Sequence, residues 1–104
     1  MKKIPILLSI STRRARLAVG RSAPGGRFIV YAGSRAAASV APSTRQAIID
    51  LRNALIAAQV LVPAKDGMDS LVFAQDFVFS ASSTAASVVM GLSASGNEEW
   101  RPML

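Results

Sequence analysis

Turn signals recur so closely along this sequence that most of it can run only a few residues before the backbone must reverse. Ser22-Ala23-Pro24-Gly25-Gly26, Gly33-Ser34, Asp66-Gly67 and Ser93-Ala94-Ser95-Gly96-Asn97 all combine residues that preset or tolerate turn dihedrals. The pieces between them are short and apolar. Residues 6–10 and 15–19 read as strands, and the turn at Ser22–Gly26 leads from the second of these into a strand over 27–31, predicting a β-hairpin. Val60-Leu61-Val62 and Leu71-Val72-Phe73 flank Lys65-Asp66-Gly67 and predict a second hairpin, and Phe77-Val78-Phe79 follows as a further strand.

Two segments change from strand to helical spacing. After an alanine-rich link to Pro42, Ser43 and Gln46 match a capping box. Ile48, Leu51, Leu55 and Ala58 then recur on one helical face, predicting a helix over 44–59 with Asp50, Arg52 and Asn53 turned to water. Ser80, Ser82 or Ser83 could cap a shorter helix carrying Ala85, Val88 and Val89, with Gly91 ending it in a left-handed conformation. Trp100 is expected to lie over the core with its N–H satisfied at the surface. No linker divides the 104 residues, so one domain over 1–104 is expected, of α+β class: two antiparallel hairpins plus an N-terminal strand against one long and one short helix.

Chemistry is narrowly bounded. The chain has no cysteine and no histidine, which removes thiolate nucleophiles, sulfur-ligated metals, disulfides and the common neutral-pH base together. Its six carboxylates form no paired constellation: Asp66 and Asp69 belong to a turn, Asp76 precedes a strand where it can accept from backbone amides, and Glu98-Glu99 adjoin Trp100. The serines have no imidazole to activate them. The reading is therefore a binding protein, not an enzyme, with no cofactor and no metal. The charged and apolar start at Met1–Ile10 imitates a signal peptide. Arg13, Arg14 and Arg16 then stand where small residues would mark cleavage, so a buried strand in a cytoplasmic protein without a membrane span is expected.

Charge is asymmetric. From Lys2 through Arg45 there are nine Lys or Arg and no acid, within a net charge of +6. Guanidinium forks match phosphate oxygens, so Arg13, Arg14, Arg16, Arg21, Arg27 and Arg35 are the candidate nucleic-acid contacts, against the plainer alternative of a charged sheet edge that resists aggregation. Ser93 and Ser95 join them as hydroxyl donors in a loop whose backbone could approach a phosphate, against the plainer reading of a tight loop alone.

Three stretches resemble a known family. They are Gly26-Arg27-Phe28-Ile29-Val30-Tyr31-Ala32-Gly33-Ser34, then Leu71-Val72-Phe73-Ala74-Gln75-Asp76-Phe77-Val78-Phe79-Ser80, then Ser83-Thr84-Ala85-Ala86-Ser87-Val88-Val89-Met90-Gly91 with Ser93-Ala94-Ser95-Gly96 and Trp100. Over residues 26–101 the chain resembles a bacterial domain of unknown function found C-terminal to GIY-YIG nuclease modules. Its closing motif is similar to that of the RAMA (restriction enzyme adenine methylase associated) domain. The resemblance implies a module that accompanies restriction, modification or mobile-element proteins. The chain has no GIY or YIG motif, so it does not imply nuclease activity; Ser82, Leu92 and Ser95 stand where the family often has proline, arginine and asparagine. Two partners fit: nucleic acid, DNA before RNA, or a host protein complex anchored through apolar residues such as Ile29, Tyr31 or Leu92. A self-paired edge strand could make a homodimer, though no residue pattern requires one.

Overall fold

The structure, a computed structural model, describes residues 7–11, 16–65, 70–94 and 99–102. The chain order is β1 (Leu8–Ser11), β2 (Arg16–Ala23), a 3₁₀ turn (Pro24–Gly26), β3 (Arg27–Val30), β4 (Arg35–Ala37) and α1 (Gln46–Ala57). It continues through β5 (Leu61–Pro63), β6 (Ser70–Phe73), β7 (Phe77–Phe79), α2 (Ser82–Met90) and β8 (Arg101–Pro102). The fold is α+β, with two antiparallel sheets of order β7-β3-β2-β1-β8 and β4-β6-β5.

Both expected hairpins form, pairing β2 with β3 and β5 with β6; the Asp66-Gly67 turn between the latter two lies outside the described residues. Their relation to each other is set by a feature that local patterns do not carry. β3 pairs with β7 while β4 pairs with β6, so two chain segments run antiparallel through one sheet and then leave together for the other. Gly33, at φ 87°, makes the corner, with its N–H donating to the Phe73 carbonyl. Two side chains close the backbone there. The Asp76 carboxylate accepts from the Ala32 N–H at 2.8 Å, as its position before a strand predicts. The buried Ser34 hydroxyl lies against both the N–H and the carbonyl of Val19, taking a strand's place where β3 ends.

The alanine-rich link is thus partly a strand: Arg35, Ala36 and Ala37 pair with Val72, Leu71 and Ser70. The sequence has no β-branched residue there, and β6 supplies the pairing that propensity does not.

The core lies between the sheets and the helices. Phe28, Val30 and Phe79 point inward from the five-stranded sheet, and Ala85, Ala86, Ser87, Val88 and Val89 meet them from α2, all buried. Small side chains let α2 sit close to β2, β3, β7 and β4, while α1 packs on α2 and β5. Trp100 is 5% exposed, its ring 4.4 Å from that of Phe28 and its Nε1 donating to the Ser82 carbonyl at 3.0 Å, the role its position suggested. Gly91 ends α2 at φ 70°, and any Cβ there would collide with the Ser39 carbonyl.

Three expectations about the helices need correction. No capping box forms: α1 begins at Gln46 with Arg45 at its N-cap, and Gln46 Nε2 bonds Asp50 instead of reaching back. Ala81, not a serine, stands at the α2 N-cap without a side-chain bond. Arg52 does not face water. It is 3% exposed and lies on the buried stripe of α1 with Ile48 and Leu55. The Val88 carbonyl, near the C-terminal end of α2, has no helical donor because the Leu92 N–H bonds Ser87 instead; Arg52 Nη1 donates to it at 2.5 Å, and Nη2 to the Ala37 carbonyl at 2.5 Å. Burial lowers the Arg52 pKa from its ordinary value by desolvation.

Candidate nucleic-acid interface

Alternation along β2 and β3 gives the five-stranded sheet two different faces. Phe28 and Val30 turn inward, so Arg27, Ile29 and Tyr31 turn outward. Register extends this outer face across the sheet: Arg21 lies opposite Ile29, Ile29 opposite Val78, Val19 opposite Ser9, and Ser9 opposite Arg101. These cross-strand pairs include no acid. Arg21 Nε donates to the Tyr31 hydroxyl at 2.6 Å, which holds the guanidinium beside an aromatic side chain over the sheet. Arg27 and Arg101 are exposed, and Val78, on the edge strand, is 46% exposed.

The predicted residues divide between this surface and others. Arg21 and Arg27 lie on the outer face. Arg35 does not join them: it opens β4 in the other sheet, half-buried, with Nη1 on the Ser70 hydroxyl at 2.9 Å. Arg16 opens β2, though its side chain, like Arg13, Arg14 and Ser95, lies outside the described residues. Ser93 is exposed just beyond α2, where its hydroxyl accepts from the Arg45 N–H at 3.2 Å. It therefore stands with the helices, which pack on the inner side of the sheet, and is brought to the α1 N-terminus instead of to Arg21 or Arg27.

Two members of the outer face were missed by sequence reasoning as nucleic-acid contacts. Tyr31 carries a signal, because it alternates with Arg27 and Ile29. Arg101 carries none, since only pairing of β8 with β1 brings it across from Ser9. Among the described residues no group of His, Cys, Asp or Glu could hold a metal ion, and no helix is long and apolar enough to cross a membrane.

The fold is thus a small α+β module of two antiparallel sheets and two helices, in which the five-stranded sheet has a buried inner face and an arginine-bearing outer face. The chain belongs to DUF4357, a domain of unknown function, whose family model matches residues 8–103. That match takes in β1 and β2 as well as the three motif stretches. No curated protein and no solved structure matches the chain.

Proposed function

We propose that the protein is a non-enzymatic, cytoplasmic DNA-binding accessory module that needs no cofactor, with the outer face of the five-stranded sheet as its contact surface. The observation that carries this reading is the grouping of Arg21, Arg27 and Arg101 with Tyr31 on one sheet face, where the one carboxylate adjoining β3 and β7 among the described residues, Asp76, is engaged by the Ala32 N–H. Arginines in such a setting hold phosphates, and a tyrosine on the same sheet face offers a base something to stack on. Arg13 and Arg14 precede β2 in sequence and Arg16 opens it, so their charge adds to the net positive charge that favours a polyanion. The resemblance to domains that accompany GIY-YIG nucleases and to the RAMA motif supports a setting in restriction, modification or a mobile element.

Fluorescence anisotropy against methylated and unmethylated duplexes, single-stranded DNA and RNA, across a salt titration, tests the reading. Binding should weaken steeply with salt. Arg27→Glu with Arg101→Glu should lower affinity and reduce the salt slope by about one for each phosphate that the variant no longer neutralises. Unchanged affinity and slope in that double variant would sink the proposal.

Val78 favours a second reading, a protein-binding module such as a phage or mobile-element inhibitor of a host defence complex. It projects from an edge strand beside Ile29, so an apolar anchor and a strand edge lie together. A single partner recovered after nuclease treatment and high salt, and no longer recovered with Val78→Asp, would support this reading over the first.

A further inference from the structure

Arg52 carries a buried positive charge for which the described residues provide no carboxylate. Asp50, its nearest acid in sequence, is exposed and holds Gln46 Nε2 instead. The two carbonyls it bonds, Val88 and Ala37, offset part of the desolvation but cannot neutralise the charge. Among the described residues the guanidinium Nε has no hydrogen-bond partner. Every buried side-chain nitrogen among the described residues has a partner, so this edge must be reachable by water.

Arg52 lines a cavity of about 320 Å³. One wall is the link after β4, with Ala38, Ser39 and Val40; the other is α1, with Ile49, Asn53 and Ile56. The walls are mainly aliphatic, and the other polar groups, Ser39 and Asn53, are neutral. Ile56 is 42% exposed at this site, a large apolar side chain left in water.

We propose that this cavity binds a small aliphatic carboxylate, its two oxygens taken by the open edge of Arg52 and the Asn53 amide, its alkyl group by Val40, Ile49 and Ile56. One cation and aliphatic walls suit a carboxylate with a branched hydrocarbon tail. A phosphate would ask for donors on several sides, which the aliphatic walls do not offer. The volume lies at the lower end of ligand sites, roughly 300–1,000 Å³, and so fits an acid of about six carbons better than a nucleotide. The charge that costs stability when the site is empty is the one the ligand neutralises, so binding should also stabilise the fold.

The probe is 4-methylpentanoate, titrated into the isotope-labelled full chain and followed by NMR. Saturable shifts should appear at the Val40, Ile49 and Ile56 methyls, with a dissociation constant on the order of millimolar for so small a ligand. The neutral 4-methylpentanamide should bind on the order of ten-fold more weakly. Arg52→Lys would disturb the two carbonyls and could simply unfold, so Asn53→Asp is the deciding variant: position 53 is exposed, the fold should persist, and the added charge should weaken the acid by on the order of ten-fold. Equal binding of acid and amide, equally tight binding of inorganic phosphate, or an Asn53→Asp variant that binds as well as the parent would each overturn the proposal. Tighter binding of acetyl-Ala-Leu than of the free acid would overturn the small-molecule class in favour of a polypeptide C-terminus.

Discussion

The two faces of the five-stranded sheet are made by the same strands and obey opposite rules. On the inner face Phe28, Val30 and Phe79 are at most 2% exposed and meet the small residues of α2. Across the backbone from them, Arg27, Ile29 and Val78 look outward, and Arg21 is held by a tyrosine. One residue step along a strand therefore separates a position whose side chain is dictated by packing from one whose side chain is free to carry function. The inner face explains why the chain folds; the outer face is where its chemistry can differ from that of another sheet of the same shape.

The largest difference between the two faces is expected from Phe28→Ala. It removes a fully buried ring that packs on Trp100, and should cost about 3–5 kcal/mol in a denaturant titration. Its outward neighbour Ile29→Ala should cost much less; equal destabilisation would mean that the outer face is covered too. Arg52→Leu probes the buried polar contacts of the same core. It leaves the Val88 and Ala37 carbonyls without a donor and should cost roughly 2–4 kcal/mol, measured the same way. Gly91→Ala tests the loop that follows the inner helix. A positive φ and the Ser39 carbonyl both resist a Cβ, so a destabilisation of about 2 kcal/mol is expected from thermal unfolding. The smallest effect belongs to the outer face: Val78→Ser should change stability by less than about 1 kcal/mol, since its side chain is already 46% exposed.

Arg52 shows how a correct period can still misplace a residue. The helical spacing of Ile48, Leu51 and Leu55 was legible and the helix forms, but the buried stripe runs through Ile48, Arg52 and Leu55, leaving Leu51 only half-buried. Polarity argued for water at position 52. Two carbonyls from β4 and α2 argued otherwise, and neither is near Arg52 in sequence. Ser34 is similar: nothing local says that its hydroxyl will take a strand's place beside Val19. The candidate interface divides the same way. Arg21 and Arg27 share a face because strand alternation is a local rule, whereas Arg35 and Ser93 are drawn elsewhere by Ser70 and Arg45.

By itself the sequence determined the class of the fold, both hairpins, both helices, the left-handed end at Gly91 and the roles of Asp76 and Trp100. Each of these depends on dihedral preference, side-chain period or the bonding habit of one side chain, and such terms act over a few residues. Tertiary packing alone made β4 a strand, continued the β3–β7 ladder of one sheet as the β4–β6 ladder of the other, brought Arg101 to the arginines of β2 and β3, and buried Arg52 beside a cavity. Those outcomes turn on which carbonyls and N–H groups remain unpaired once distant elements have packed, and a backbone group cut off from water must take whatever donor or acceptor the fold brings to it.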